Sequence, residues 1–220
     1  MRFLLCSDLH ARPDWYFWLS EAASQFNAVI VAGDLIDMFR SEEKIRQACS
    51  LAEAHLEAIK RGGIPVFVAE GNHDASISWP WLKLQLGRHQ IGDFLVQTFP
   101  DDHGRGSRLD LRVSREIANE MKLTWIVVDH YPPVRSRTHS GDDYYLNKET
   151  IDFHPDIIVS GHMHQAPFVE GGSWHDRVNG TLCLNAGCRW NAYQPCHIVL
   201  DSEKRRATWF TPEKTETIRY

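Results

Sequence analysis

The sequence predicts an α/β protein built from at least two β-sheets. Two observations support this class. Through the first 70 residues, short apolar runs alternate with segments of helical periodicity, which is typical of strands and helices that pack in layers. After about residue 180 the apolar runs follow one another closely, which is typical of antiparallel strands. These observations predict a mixed sheet early in the chain and a second sheet near its end.

The predicted strands are short apolar runs, most of them rich in Val and Ile. Such runs indicate strands that are buried on both faces. Five of them span residues 3–6, 28–32, 65–69, 125–128 and 157–159. Three later runs, at residues 181–184, 197–200 and 208–211, predict the antiparallel strands of the second sheet.

Two helices are predicted between the first three strands. In residues 41–61, apolar side chains recur at helical spacing, at Ile45, Ala48, Cys49, Ala52, Leu56 and Ile59. Ser41 suits the N-cap of this helix, and Gly62 with Gly63 suits its end. Residues 14–26 predict a second helix that carries several aromatic side chains.

Composition limits the class of protein. The 220 residues carry 24 Lys and Arg against 29 Asp and Glu, so the net charge is −5. An acidic chain lacks the clustered cations that non-specific duplex binding needs, so nucleic acid is a disfavoured partner. No apolar run reaches the roughly 18 residues of a membrane span. With no repeat or linker, we expect one domain over residues 1–220.

The N-terminal residues and the cysteines predict a cytoplasmic protein. The first strand reaches a carboxylate at Asp8 too soon to be the apolar core of a secretory signal. The five cysteines are odd in number and irregularly spaced, without a C-x-x-C pair. They predict buried thiols in a reducing compartment rather than disulfides or a thiolate zinc site. The oligomeric state stays open.

Polar residues follow each of the five predicted buried strands. Because the carboxyl ends of strands in open α/β sheets form a shared functional crevice, we expect these side chains to gather at one rim. Seven of them are candidate metal ligands: Asp8, His10, Asp34, Asn72, His130, His162 and His164. Carboxylate and imidazole donors suit Mn²⁺, Fe, Zn²⁺, Ni²⁺ or Co²⁺. Seven ligands exceed the needs of one ion, so two ions that share a carboxylate are predicted.

Each motif has an ordinary structural explanation when it is taken alone. Asp8-Leu9-His10 is also what a strand end and polar turn look like, and Gly33-Asp34 also suits a simple turn. Gly71-Asn72-His73-Asp74 is equally compatible with a loop, and a single histidine such as His130 is more often structural than a ligand. The occurrence of all the motifs in order, each after a predicted strand, favours the metal centre.

These motifs together resemble the signature of the calcineurin-like metallophosphoesterase superfamily. That signature is D-x-H, G-D-x-x-D, G-N-H-D/E, a His that often precedes His-Pro-Pro, and G-H-x-H. This chain reads Asp8-Leu9-His10, Gly33-Asp34-Leu35-Ile36-Asp37, Gly71-Asn72-His73-Asp74, His130-Tyr131-Pro132-Pro133 and Gly161-His162-Met163-His164. The one departure is Tyr131, where a second His is common. The resemblance implies a four-layer α/β/β/α sandwich of two mixed sheets flanked by helices.

The resemblance also implies roles for individual residues. Two ligand groups would share a bridging carboxylate: Asp8, His10 and His164 for one cation, Asn72, His130 and His162 for the other, and Asp34 between them. His73 would contact the substrate phosphate and assist the leaving oxygen, with Asp74 orienting its imidazole. Asp37 would shape the motif rather than touch a metal. The implied reaction is phosphoester hydrolysis by a water that two divalent cations, Mn²⁺ foremost, activate.

Substrate-binding residues are predicted outside these motifs. The longest stretch between motifs, residues 75–124, is expected to be either a lid or specificity wall, or a peripheral helix and hairpin packed on the sandwich. Arg135 and Arg137 are candidates to bind a second phosphate, with a solvated loop as the alternative. Trp174 and His175 are candidates to line the pocket, Trp174 by stacking on a base.

Three function classes are compatible with the sequence. Short length and acidic charge favour a hydrolase of small phosphomonoesters or phosphodiesters, including nucleotide-type substrates. The alternative is a nuclease or nucleic-acid end-processing phosphatase of the same superfamily, which needs a basic track. A non-catalytic scaffold on this fold would have lost ligands, and here all of them are present.

Overall fold

A computed structural model of the protein describes residues 1–37, 41–75, 77–101, 108–139 and 150–220. The strands, in chain order, are β1 (Arg2–Cys6), β2 (Ala28–Ala32), β3 (Val66–Ala69), β4 (Gly87–Ile91), β5 (Phe94–Thr98), β6 (Thr124–Val128), β7 (Ile157–Ser160), β8 (His175–Val178), β9 (Thr181–Asn185), β10 (His197–Asp201), β11 (Arg206–Phe210) and β12 (Thr215–Arg219). The α-helices are α1 (Pro13–Ala22), α2 (Glu42–Arg61), α3 (Asn72–Ala75), α4 (Pro80–Lys83) and α5 (Arg108–Met121).

Two six-stranded mixed sheets form the body of the protein. The first has the order β12-β11-β10-β1-β2-β3, and the second has the order β4-β5-β6-β7-β9-β8. In the first sheet β1, β2 and β3 are parallel, while β10 to β12 are antiparallel to their neighbours. In the second sheet β5, β6, β7 and β9 are parallel, and β4 and β8 form antiparallel edges.

The alternation of side chains along each strand produces four layers. In β1, Phe3 and Leu5 belong to the cluster between the sheets, whereas Leu4 and Cys6 belong to the cluster beneath α1 and α2. In β6, Trp125 and Val127 belong to a third cluster, beneath α5. Because successive strand residues face opposite sides, each sheet is covered on both faces. The prediction of a four-layer sandwich is confirmed.

The two predicted helices are present. The Oγ of Ser41 accepts a hydrogen bond from the backbone N–H of Lys44 at 3.3 Å, so Ser41 caps α2 as predicted. Gly62 follows the last turn of α2, and its N–H donates to Ala58 O at 3.0 Å. The aromatic segment forms α1, which continues into a 3₁₀ turn over Ala23–Gln25.

The predicted placement of the C-terminal strands was wrong. The strands exist, but β10 pairs with β1 and extends the first sheet with β11 and β12. Strand β9 lies in the other sheet, parallel to β7. An apolar run indicates that a segment is a buried strand. It does not indicate which other strand that segment pairs with, because the pairing depends on the connections between the two sheets.

Most of the segment over residues 75–124 lies in the body of the sandwich. Strands β4 and β5 form a hairpin on the second sheet, β5 is buried along its length, and α5 packs on the outer face of that sheet. This is the alternative arrangement predicted for the segment. A role in substrate selection stays a prediction, and residues 76 and 102–107 lie outside the described part. Among the described residues, no helix has the length and apolar character needed to cross a bilayer.

Candidate metal centre

The polar side chains that follow five strands meet at one edge of the sandwich. The strands are β1, β2 and β3 of the first sheet and β6 and β7 of the second, and each ends at this edge. Backbone hydrogen bonds join the connecting loops: Asp8 N to Gly33 O at 3.0 Å, His10 N to Asp34 O at 3.0 Å, and Gly161 N to His130 O at 3.0 Å. The predicted rim is therefore present, and it includes loops from both sheets.

One group of donor atoms is formed by Asp8, His10 and His164. His164 Nε2 lies 3.1 Å from Asp8 Oδ1 and 3.3 Å from His10 Nε2. Asp8 Oδ1 also accepts the backbone N–H of His162 at 3.1 Å, which fixes the orientation of the carboxylate. The three side chains, together with Asp34, place one donor atom each within 4.8 Å of one another.

A second group is formed by Asn72, His130 and His162. The Oδ1 atom of Asn72 lies 3.0 Å from His130 Nε2 and 2.9 Å from His162 Nδ1. The rings of His130 and His162 meet edge to face, with centroids 5.1 Å apart. These two rings therefore direct nitrogens at the same amide oxygen.

Asp34 lies between the two groups. Its Oδ2 atom is 3.3 Å from His130 Nε2 in one group and 3.8 Å from His10 Nε2 in the other. Its Oδ1 atom accepts the backbone N–H of His73 at 3.0 Å. Asp34 is only 2% exposed, and side chains of both groups lie beside its carboxylate.

Several residues of the rim have a strained backbone. Asp8, His10, Asp34 and His162 all have positive φ angles, of 56°, 45°, 51° and 61°. Non-glycine residues rarely adopt this region, and such conformations cluster at functional sites. The strain turns these side chains toward the rim immediately after each strand.

Two glycines allow the rim loops to approach one another closely. A Cβ atom at Gly33, which has φ of 80°, would lie 2.6 Å from His130 Nδ1. A Cβ atom at Gly71 would collide with the backbone nitrogen and the carboxylate of Asp34. The glycines before Asp34 and Asn72 are therefore required by contact with other loops as well as by their own turns.

The imidazole of His130 is oriented by the backbone of β2. Its Nδ1 atom donates to Ala32 O at 2.8 Å, so Nε2 is the nitrogen that faces the rim. Outer hydrogen bonds of this kind are common on metal-binding histidines. Burial is the largest single effect and lowers the pKa of His130, but the charge and hydrogen bond of Asp34, the charge of Asp8 and the Ala32 carbonyl together raise it to about 10. Burial and the charge of His130 lower the pKa of His162 to about 4.

His73 is oriented by Asp37, which corrects the role predicted for Asp74. His73 Nδ1 lies 3.1 Å from Asp37 Oδ1, while its Nε2 lies 3.9 Å from Asp34 Oδ2. The Asp74 carboxylate instead accepts backbone N–H groups, from Leu35 at 3.2 Å, Ile36 at 3.1 Å and Gly71 at 2.9 Å. Adjacent residues on a helix do not face each other. The Asp74 carboxylate therefore binds the backbone of the loops after β2 and β3, and Asp37 is the carboxylate that contacts the His73 ring.

The predicted substrate contacts are not part of the rim. Trp174 is only 2% exposed, stacks on Trp209 with centroids 5.8 Å apart, and donates its indole N–H to Glu216 at 2.9 Å. It is a core residue, so the prediction that it stacks on a base was wrong. Trp174 directly precedes β8, and its indole packs with Trp209 of β11 in the cluster between the two sheets.

Arg135, Arg137 and His175, the other predicted substrate contacts, lie at or near β8. Arg135 borders a surface pocket with Ile151 and Val178, and Arg137 pairs with Asp176 at 3.5 Å. His175 starts β8 and packs its ring on Trp174. No described contact joins these three side chains to the rim, and a role in substrate binding stays a prediction for them.

One aromatic residue at the rim was missed. The ring of Trp190 lies 4.7 Å from the ring of His10 and 5.2 Å from the ring of His164, measured between centroids. Trp190 lies in the loop that follows β9, and none of the motifs described above includes it. Nothing in the spacing of the motifs indicates which side chain of that loop reaches the rim.

The donor set fits two divalent cations. Imidazole nitrogens and carboxylate oxygens are the ligands of Mn²⁺, Fe and Zn²⁺ sites. Here one group of a carboxylate and two imidazoles and another of an amide and two imidazoles lie on either side of the Asp34 carboxylate, and the nitrogens of His10 and His164 face each other at 3.3 Å. The site is also deeply set, since Asp8, His10, Asp34 and His130 are all buried.

Comparison with known proteins identifies a family and a fold. A sequence model of the family described as calcineurin-like phosphoesterase matches residues 1–166, more than half of the chain. No curated protein matches the chain in sequence. Similar solved structures include a dimetal phosphatase from Danio rerio, with a TM-score of 0.66 and 12% identity, over 100% of this chain and 99% of that chain.

Two further structures are similar in fold. The purple acid phosphatase PPD1 from yellow lupin (Lupinus luteus) seeds has a TM-score of 0.62 and 11% identity, over 100% of this chain and 53% of that one. The protein TT1561 of Thermus thermophilus has a TM-score of 0.58 and 13% identity, over 99% of this chain and 98% of that one. At such low identity, these similarities establish the fold alone.

Proposed function

The chain belongs to the calcineurin-like phosphoesterase family, and from that membership we propose that it hydrolyses small phosphoesters, nucleotide esters among them, with two divalent cations. The position of Asp34 carries the proposal. One buried carboxylate lies 3.3 Å from a nitrogen of one donor group and 3.8 Å from a nitrogen of the other. A carboxylate placed in this way suits a bridge between two cations.

The seven rim side chains would hold the cations in two groups. Asp8, His10 and His164 would bind one ion, Asn72, His130 and His162 the other, and Asp34 both. We propose Mn²⁺ as the working ion, because mixed oxygen and nitrogen donors suit it. When bound, such a pair of cations polarises phosphoryl oxygens and lowers the pKa of water, which supplies a nucleophile near neutral pH.

We propose that His73 assists the leaving group. Asp37 accepts from its Nδ1 side at 3.1 Å, which fixes the ring and leaves Nε2 directed toward Asp34 and the rim. The ring is also partly exposed, so a substrate bound at the rim can contact it. We infer that His73 Nε2 donates a proton to the oxygen that leaves phosphorus.

Charge supports a small substrate. The chain is acidic overall, with a net charge of −5, and Arg137 is already paired with Asp176. A long nucleic-acid strand needs a series of unpaired cations along its path. The single phosphate of a nucleoside phosphate needs only the cations at the rim to balance its charge.

A substrate screen after metal removal and reloading tests the proposal. We expect protein treated with EDTA to be inactive and to unfold at a lower temperature, because the clustered carboxylates and imidazoles lose their counter-charge. Added Mn²⁺ should restore both hydrolysis and stability. The screen compares p-nitrophenyl phosphate, bis-p-nitrophenyl phosphate, cyclic nucleotides and single-stranded DNA. Full activity in protein shown to be metal-free would contradict the proposal. Activity confined to single-stranded DNA would show that the substrate is nucleic acid rather than a small phosphoester.

Metal binding should also depend on pH. In metal-free protein the raised pKa of His130, about 10, keeps this ring protonated at neutral pH, whereas His162, with a pKa of about 4, is neutral. A cation must displace the proton of His130, so affinity should rise with pH by about tenfold per unit for each displaced proton. Calorimetry from pH 6 to 8, in two buffers of different ionisation enthalpy, measures this release. An affinity that stays constant across this range would contradict the displacement of a proton from His130 by the cation.

A further inference from the structure

A cavity of about 320 Å³ adjoins the rim at His164. It is lined by Gln165, which follows His164 directly, and by Arg189, Trp190, Asn191, Ala192 and Glu213 among others. Trp190 belongs both to this cavity and to the rim, because its ring also contacts His10 and His164. A molecule whose phosphate is bound at the rim can therefore reach this cavity with its organic part.

Trp190 is held firmly although it is 43% exposed. The buried ring of Trp15 lies nearly parallel to it, with centroids 6.5 Å apart. The indole N–H of Trp15 donates to Ala192 O at 3.1 Å, and the side chain of Arg12 donates to Trp190 O. These contacts fix the backbone at Trp190 and at Ala192, so the exposed surface of the indole is a rigid aromatic platform beside the rim.

The chemistry of the cavity matches a nucleobase. A flat aromatic ring stacks on an exposed indole, and stacking of this kind needs no particular sequence of bases. Gln165 and Asn191 line the same cavity, and their side-chain amides offer both donors and acceptors of the type that base edges use. A sugar or alkyl group has no aromatic ring to stack, so we expect it to gain less from Trp190 than a base does.

We propose that Trp190 and the adjoining cavity form a base-binding subsite, so that the preferred substrates are phosphoesters of nucleosides. This inference rests on the proposed function, since the rim must hold the phosphate while Trp190 holds the base. It makes Trp190 a specificity-determining residue that acts mainly through KM.

Two substrate pairs isolate the contribution of the base. AMP and ribose 5-phosphate share the reacting phosphorus and leaving alcohol, and differ in the base. For a diesterase, the thymidine 5′ ester and the methyl ester of p-nitrophenyl phosphate serve in the same way. In Mn²⁺-loaded protein, Trp190→Ala should lower kcat/KM for the member with a base by roughly 5- to 150-fold and leave the other member unchanged.

Matched variants and a metal-free measurement complete the test. Trp190→Phe keeps an aromatic face and should recover most of the lost kcat/KM. Tyr193→Ala changes an 85% exposed aromatic residue of the same loop and should leave kcat/KM unchanged for both members of a pair. Saturation-transfer NMR with adenosine, without added metal, should show contact in the wild-type protein and Tyr193→Ala but not in Trp190→Ala.

The outcomes separate this inference from the proposed function. The base-binding subsite would be overturned if Trp190→Ala lowered kcat/KM equally for both members of a pair, or did not lower it at all. It would also be overturned if adenosine made no contact with the wild-type protein. Adenosine contact that depends on Trp190, in a protein that hydrolyses no phosphoester with Mn²⁺, would support the subsite and overturn the proposed hydrolysis.

Discussion

Asp34→Asn is expected to remove both cations together and to lower phosphoesterase turnover by about 10³-fold or more. A cation contributes several kcal/mol of transition-state stabilisation, and about 4 kcal/mol corresponds to about 10³-fold in rate. Asparagine has a similar shape but no charge, so neither donor group keeps its shared anion. Elemental analysis of the purified variant and single-turnover kinetics measure the two effects.

Asp201→Asn is the matched control for this change. Asp201 is 6% exposed and accepts the backbone N–H of Lys204 at 3.0 Å, at the end of β10 and in a hydrogen-bonding pattern unrelated to the rim. It should keep both metals and normal turnover. Two metals per chain and unchanged turnover in Asp34→Asn would show that Asp34 is not the bridge.

His73→Ala is expected to lose turnover by about 10²- to 10⁴-fold on alkyl phosphoesters while it keeps both metals. The loss should be smaller on p-nitrophenyl esters, because nitrophenolate leaves without a proton. Stability should change little, since the ring is partly exposed and alanine suits the helix position in α3. Metal content, melting temperature and the ratio of rates on the two ester types are the measurements.

Two variants make the His73 experiment specific. Asp37→Asn removes the negative charge at 3.1 Å from His73 Nδ1 but keeps a carbonyl acceptor, so it should give a smaller loss with the same preference for nitrophenyl esters. His55→Ala, on α2, should change nothing in catalysis. A His73→Ala variant that lacks one metal would identify His73 as a ligand. Equal losses on both ester types would give it a role in phosphate binding and not in proton donation.

Local patterns determine much of the fold. The strands β1, β2, β3, β6 and β7, and the helix α2 with its Ser41 cap, were predicted because periodicity and caps depend on residues close together in sequence. The pairing of β10 with β1 was not predicted. It joins residues about 200 positions apart, as in the hydrogen bond from Ser202 N to Met1 O, and no local pattern reports such a contact.

The candidate site divides in the same way. Motifs that follow strands identified the seven rim side chains, because parallel strands deliver their carboxyl ends to one edge whatever the rest of the chain does. Only the tertiary structure shows which carboxylate orients His73. Asp74 is adjacent in sequence but turns to backbone amides, while Asp37 arrives from the β2 loop at 3.1 Å.

The two tryptophans show where sequence information ends. By itself, the sequence determined the layered class, the rim and the donor types, since these depend on residue type and position relative to a strand end. Only the tertiary structure decided that Trp174 is buried against Trp209 and that Trp190 stands exposed beside His10 and His164. Both residues are aromatic and lie near strand ends. Burial is set by which surface packs over a side chain, and that surface comes from distant parts of the chain.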